Sequence, residues 1–453
     1  MRAAPHGDEG ALPGGSGKGP STAARTRYTI RPGDTLTTVA LRFGTTVESL
    51  MDQNGLRNAD AIFVGQELLV HDPPQREGPS TAVLPDSAFV RGPGSLDFDP
   101  EAWLRQHRGR LSRHRELVDG ESLGGPAIVA RVSREFSVDA RVLLAFIDSR
   151  SGWVRSDGGA AQAETPDFAA GLEDPARESL WHQLNWLADR LNGGYYDWKT
   201  RDNGVLTLAD GVRLAGHPRL NAGSFAVQRA LGLQSTEAEL ELRLDAFAER
   251  YQSLFGDPWA TALPSLDPAS IDFPTLGLPW SGREGWWFTG GPHGGWGDGS
   301  AWAAIDFVAP GEQRGCFLSP AWVRAVADGV IVAGGEGELW LDLDGDERRE
   351  TGPVVLYLHL AAEGRAEAGT RVSAGDPVGH PSCEGGFSTA THLHLARLYD
   401  GEWLAAGGAS PMILGGWRAE GAPRAYDGRL LHEDGRVREA CECRLEGHND
   451  LSR

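Results

Sequence analysis

The run Thr391-His392-Leu393-His394-Leu395-Ala396 constrains this chain more than any other stretch. In an extended strand, residues i and i+2 project from the same face, so His392 and His394 converge on one point. A single histidine is ordinarily a surface or satisfied core residue. Two of them alternating within an apolar strand point to metal ligation. Three further residues stand in similar surroundings. His293 lies in Gly290-Gly291-Pro292-His293-Gly294-Gly295, Asp306 follows Ala303-Ala304-Ile305, and His359 ends the apolar run that begins at Val354. Short apolar runs bounded by glycine recur through this part of the chain, at Val323–Val326, Val330–Val332, Leu339–Leu341 and Leu393–Leu398, which predicts antiparallel β structure. Zinc suits imidazole nitrogens together with a carboxylate oxygen and leaves a position for water. Two histidines and one aspartate bring a ligand charge of −1 to a +2 ion, so such a site keeps its power to polarise a carbonyl and to acidify water.

The 453 residues exceed one ordinary domain, and their patterning changes along the chain. Residues 1–26 are rich in Gly, Pro, Ser and Ala, with nothing to bury, and are expected to form a disordered tail. Within 27–72, Arg27–Ile30 alternates like a strand and ends at the turn signal Pro32-Gly33-Asp34. Thr35 can cap a helix with Leu36, Val39, Ala40 and Phe43 at helical spacing. A second helix from Thr46 carries Val47, Leu50 and Met51 and closes near Asn54, and Ile62–Val70 returns as a strand. This βααβ unit, including YTIRPGDTL and IFVGQELLV, resembles the LysM glycan-binding module. The resemblance implies binding of N-acetylglucosamine-containing chains along Gly33, Asp34, Thr35, Ile62 and Phe63. Residues 73–95 read as a linker, 96–262 as helical, and 263–285 as a second linker, both linkers being rich in Pro, Gly and Ser. In the helical part, REFSVDARVLLAFIDSRSGW resembles the helix pair that carries the catalytic acid of lytic transglycosylases and goose-type lysozymes. Arg150 occupies the position of that acid. Arginine cannot donate a proton to a glycosidic oxygen near neutral pH, so the expected middle domain is an all-α, lysozyme-like fold without glycosidase chemistry.

In residues 286–415 the series GGPHGG, Asp306-Phe307, ADGVIV, YLHL and THLHLA resembles the lysostaphin-type zinc endopeptidases, which cut peptide bridges of bacterial peptidoglycan. The step of thirteen residues from His293 to Asp306 is similar to the spacing of its β-lytic branch; Trp302 stands where short-spaced members place a histidine. The resemblance implies one zinc per chain held by His293, Asp306 and His394. It gives His359 and His392 the roles of orienting or deprotonating water and stabilising the oxyanion. Asp298 is a stray carboxylate nearby. His380, His432 and His448 lack such context. The expected architecture is thus a multidomain chain: a small βααβ LysM module, an all-α lysozyme-like middle domain and a mainly antiparallel-β C-terminal peptidase domain, with 416–453 as an extension.

Composition narrows the partners. A formal net charge of −20 argues against nucleic acid or an anionic membrane as the main partner, and no apolar run is long enough to span a bilayer. Peptidoglycan, peptide and glycan together, is the expected substrate, and its location implies an extracellular or wall-associated protein, although no signal peptide is visible in the sequence. Asp342-Leu-Asp344-Gly-Asp346 resembles part of a calcium loop; its position between two strands favours a hairpin turn over a calcium site. Cys316, Cys383, Cys441 and Cys443 are compatible with two disulfides of undetermined pairing. The competing reading is a non-catalytic peptidoglycan-binding scaffold or activator built on a degenerate peptidase fold.

Overall fold

A computed structural model describes residues 25–31, 34–43, 45, 47–59, 61–71, 76–155, 167–201, 204–282, 284–311 and 313–451. The expected tail, 1–26, falls almost wholly outside these, as do Pro32 and Gly33. The N-terminal unit is β1 (Arg25–Thr29), α1 (Leu36–Arg42), α2 (Val47–Asn54) and β2 (Glu67–His71), with β1 and β2 antiparallel. Thr35 caps α1 by exchanging hydrogen bonds with Thr38. The return strand is shorter than its sequence pattern predicts. Ile62–Gln66 forms a loop because the chain turns at Gly65, φ +89°, a conformation open to glycine without steric cost. Tyr28, Ile30, Leu36, Val39, Ala40, Leu50, Leu68 and Val70 form a small core of their own.

The helical unit runs through α3 (Asp86–Phe89), α4 (Pro100–Arg105), α5 (Arg110–Arg113), the hairpin β3 (Arg115–Val118) and β4 (Glu121–Gly124), α6 (Gly125–Phe136) and α7 (Ala140–Ser151). It continues with α8 (Leu180–Arg201), the small hairpin β5 (Val205–Thr207) and β6 (Arg213–Ala215), α9 (Ala222–Gly232) and α10 (Glu237–Phe255). Much of the expected first linker belongs to this unit: Val83, Leu84, Phe89 and Val90 are buried in it, and Ser224 accepts hydrogen bonds from the amides of Val83 and Leu84. The second expected linker likewise contributes Leu276 and Trp280 to the core that follows, and Leu276 bridges Leu414. Pro, Gly and Ser content signals turns; it does not report burial.

The C-terminal part is β. Strands β7 (Trp287–His293), β8 (Ala304–Val308), β10 (Gly329–Gly335), β11 (Glu338–Asp342), β12 (Pro353–Leu358), β13 (Arg371–Val372), β15 (Leu393–Tyr399) and β16 (Glu402–Trp403) make one eight-stranded antiparallel sheet in the order 13-10-11-12-15-8-7, with β16 on β15. The short β9 (Val323–Arg324) and β14 (Pro377–Gly379) pair with each other. The extension is folded too: β17 (Ile413–Leu414), β18 (Trp417–Gly421), β19 (Gly428–His432) and β20 (Val437–Glu439) form a second sheet, and Trp417, Leu430 and Leu451 enter the core beside the main one.

The central strands are buried on both faces, and period-two alternation sorts their side chains between two cores. Val355, Tyr357, Leu393, Leu395, Ile305 and Phe307 face the core beneath the sheet. Val354, Leu356, Leu358, Ala396, Leu398 and Ala304 face the other way, into a core continuous with that of the helical unit. This is why VVLYLHL reads as an unbroken apolar run without an alternating polar face. Specific bonds seal the seam. Trp403 donates from Nε1 to the carbonyl of Phe136, Lys199 pairs with Glu402 at 2.7 Å, and Ser137 bonds the carbonyl of Gly401. The helical unit is therefore packed onto the sheet rather than tethered to it.

Candidate metal centre

Strand register assembles the site. β15 lies between β12 and β8, and His394 is paired with Leu358 on one side and Asp306 on the other. Asp306 in turn faces Gly290 on β7. A Cβ on Gly290 would lie 2.6 Å from Oδ2 of Asp306, so the missing side chain leaves room for the carboxylate. β7 bulges between Phe288 and His293, and His293 joins the pair. Its Nε2 is 3.0 Å from Nδ1 of His394 and 3.4 Å from Oδ1 of Asp306, while His394 Nδ1 is 3.2 Å from the same oxygen. His392 Nε2 stands 3.7 Å from that oxygen, and the His359 ring lies 4.4 Å from the His392 ring. All five residues singled out in the sequence thus meet in one place.

The four imidazoles share one arrangement. Each donates one ring N–H to a backbone carbonyl: His293 Nδ1 to Gly291 at 2.8 Å, His394 Nε2 to Gly295 at 3.1 Å, His359 Nδ1 to Glu384 at 3.0 Å, and His392 Nδ1 to Ala390 at 2.8 Å. A carbonyl can only accept, so each bonded nitrogen holds the proton and the other carries a lone pair. Those of His293 and His394 face each other across 3.0 Å, beside an Asp306 Oδ1 that is buried and has no hydrogen-bond partner. Two lone pairs and an orphaned carboxylate oxygen at this separation repel, and a cation among them removes the repulsion. An N, O, N donor set whose imidazoles are oriented by backbone carbonyls fits zinc.

The electrostatics agree. Burial pushes the Asp306 carboxyl up, but His293 and His392 beside it hold it well below the usual carboxylate range. Burial pulls His293 down, and Asp306 more than reverses that. Burial lowers His394. His359 falls to about 3, chiefly through burial and then through the neighbouring His392 and His394. His359 also sits at φ +65°, a left-handed backbone that non-glycine residues adopt at a cost. The loop that orients it is anchored by the Cys316–Cys383 disulfide, since Glu384 supplies the carbonyl and Ser382 donates its amide to the carbonyl of His359.

The centre opens into a cleft of about 1390 Å³. Sequence reasoning missed two of its walls. Arg131, Glu135, Trp181 and Asn185 of the helical unit line one. Tyr426, from the extension, stacks on the His293 ring with centroids 4.1 Å apart. Its backbone is locked to β7, accepting from the amide of Gly291 and donating to the carbonyl of Pro292. A Cβ on Gly291 would lie 2.4 Å from the carbonyl oxygen of Asp427, so Gly290-Gly291 admits a carboxylate at one residue and a neighbouring chain at the next. That paired glycine was the only sequence trace of Tyr426.

Other sequence candidates fall elsewhere. Asp298 lines the cleft without joining the three-residue cluster. Arg150 reaches toward Gln234, and it is not among the cleft residues. In the LysM unit, Asp34 accepts from Tyr28 Oη and from the amide of Arg31, which is a fold-building role. Reciprocal bonds join Ile30 to Gly65 and Gln66, and Phe63 in the same loop is 68% exposed. Gly33 lies outside the described residues. Asp342, Asp344 and Asp346 cluster in the loop between β11 and β12, and the Asp342 carboxylate is engaged by the amides of Asp344 and Glu347. Cys441 and Cys443 are bonded to each other.

Comparison with known proteins follows the same division. Residues 28–71 match the LysM domain, and residues 82–269 match the family model described as the LasA N-terminal domain. That second description covers the segment likened above to a lysozyme. The chain is 25% identical over 374 residues to protease LasA of Pseudomonas aeruginosa strain UCBPP-PA14, covering 78% of this chain and 82% of that protein. It is also 42% identical over 59 residues to the N-acetylmuramoyl-L-alanine amidase XlyA of Bacillus subtilis, covering 13% of this chain and 20% of that one. Among solved structures, the M23 metalloprotease pseudoalterin is 22% identical, with 38% of this chain and 96% of that chain covered, at a TM-score of 0.30. The chain thus carries a LysM domain and is similar to protease LasA over most of its length.

Proposed function

We propose that the chain is a zinc endopeptidase that cuts peptide cross-links of peptidoglycan, with its LysM module holding it to N-acetylglucosamine-containing glycan outside the cell or in the wall. The observation that carries this reading is the buried, unpartnered Oδ1 of Asp306 facing two inward imidazole nitrogens. His293, Asp306 and His394 would hold one zinc, which supplies Lewis acidity toward a peptide carbonyl and toward water. His359 presents an inward nitrogen that is unprotonated at neutral pH, and it accepts the proton of the attacking water. His392 is close enough to disfavour a second charge on His359, so the pair handles one proton. That one proton, while it resides on the inward Nε2 of His392, is donated to the oxyanion, and the pair then returns it to the leaving amine. Trp181 and Arg131 bound the groove in which the peptide lies. Among the described residues no helix is long and apolar enough to cross a membrane.

The test separates chemistry from binding. His359→Ala is expected to lower kcat on a soluble cross-link peptide by roughly 10²–10⁴-fold while metal content stays at the wild-type level. An unchanged kcat removes His359 from the mechanism.

A further inference from the structure

One corner of the helical unit carries a charge opposite to that of the whole chain. Between residues 105 and 115 stand Arg105, Arg108, Arg110, Arg113 and Arg115, in a protein of net charge −20. Arg110 is occupied, pairing with Asp167 and lying over the Trp153 ring. Arg105, Arg108 and Arg113 are exposed and make no ion pair among the described residues. A cavity of about 300 Å³ opens there, lined by Arg105, Arg113 and Arg115, with Ser112 and the single unengaged carboxylate of Glu101. The nearby Glu116 is spent on His114 and on the amides of Leu180 and Trp181. Arg115 is held in place across its hairpin by the carbonyl of Ser122.

Gly124, Pro126 and Ala127, the N-cap and first turn of the twelve-residue helix α6, also line the cavity. No side chain caps that helix. The amide of Gly125 goes to the carbonyl of His114, and Pro126 has none to give. Guanidinium groups recognise tetrahedral oxyanions through paired N–H donors, and a helix N-terminus adds a positive partial charge.

We propose that this cavity is a phosphate-binding site. It takes the phosphodiester group of an anionic polymer, with Arg105, Arg113 and Arg115 on the phosphate and Arg108 extending the contact to the next unit. It lies outside the peptidase cleft and adds a second wall-directed contact to a protein otherwise repelled by polyanions. The same chemistry would accept free inorganic phosphate, and the experiment separates the two sources.

Full-length protein is titrated calorimetrically with inorganic phosphate and with a poly(glycerol phosphate) of defined length, at several salt concentrations. The comparison is with Arg105→Ala/Arg113→Ala and with a charge-matched control, Arg371→Ala/Arg429→Ala, whose arginines pair with Glu347 and Glu420 elsewhere. Unchanged melting curves establish that both variants fold. Wild type and control should bind the polymer at low salt. The Arg105/Arg113 variant should bind at least tenfold more weakly, with a salt slope smaller by about two. Binding of inorganic phosphate with no gain from the polymer assigns the site to the free anion. Absence of binding to either probe at low salt, or equal loss in the control variant, overturns the site.

Discussion

The LysM unit and the helical unit are both appended to the eight-stranded sheet, and they are joined to it in opposite ways. The LysM unit closes its own core of eight buried residues, and Arg213 of the helical unit donates to the carbonyl of its Phe43. The helical unit has no such independence, because Trp340, Val354, Leu356, Leu358, Ala396 and Trp403 of the sheet complete its core. A module that satisfies itself locally can be moved between proteins. One that shares a core becomes part of the domain it covers, and here it also walls the cleft.

That difference predicts different costs. Trp403 is buried, donates through both its ring and its backbone nitrogen across the seam, and fits against Gly295, where a Cβ would meet its ring at 2.4 Å. Trp403→Ala should cost about 3–5 kcal/mol and lower the helical and aromatic melting signals together. Separate transitions for helix and sheet would break the comparison.

Glu135 gives a pH signature of the same seam. It is almost fully buried; burial raises its carboxyl to about 7 although Arg131 beside it pulls the other way. Arg131 also reaches Glu336 on the sheet side. Because the folded value lies above the unfolded one of about 4.3, the folded state binds the proton more tightly. The contribution is then fully present below about pH 4.3 and is lost as pH rises through 7, by up to about 3 kcal/mol. Glu135→Gln should flatten stability between those values in chemical denaturation at stepped pH; an unchanged pH dependence places the titrating group elsewhere.

The smallest effect belongs to the LysM unit. The Asn54 amide group donates to the carbonyl of Leu69 and accepts from its amide, joining α2 to β2, and donates also to Leu50. Asn54→Ala should destabilise that unit by roughly 1–3 kcal/mol, weakening glycan binding while the main melting transition and the turnover of a soluble peptide stay put. A shift of the main transition would show that the LysM unit is not independent.

The same contrast explains what was legible in the sequence. The LysM fold is written in contacts within some forty-five residues, so caps, turns and periodicity sufficed. The candidate metal centre was legible because HxH, the Asp306 segment and Gly290-Gly291-Pro292-His293 each spell out a local geometry, which strand register then aligns. The seam was not, because Phe136 and Trp403, or Lys199 and Glu402, lie more than 200 residues apart. Its one trace was the absence of a polar face on the strands from Pro353 to Leu358 and Leu393 to Tyr399. Tyr426 escaped for the same reason: its stack on His293 depends on a backbone pairing across more than 130 residues.

The measurement that bears most directly on the proposed chemistry is the metal content of full-length protein, wild type beside His394→Ala, both shown to be folded. One zinc per wild-type chain, lost or much reduced in the variant, is the predicted result. Wild-type protein that takes up no zinc when incubated with it, or a variant that binds zinc as well as wild type, would contradict the assignment of His293, Asp306 and His394.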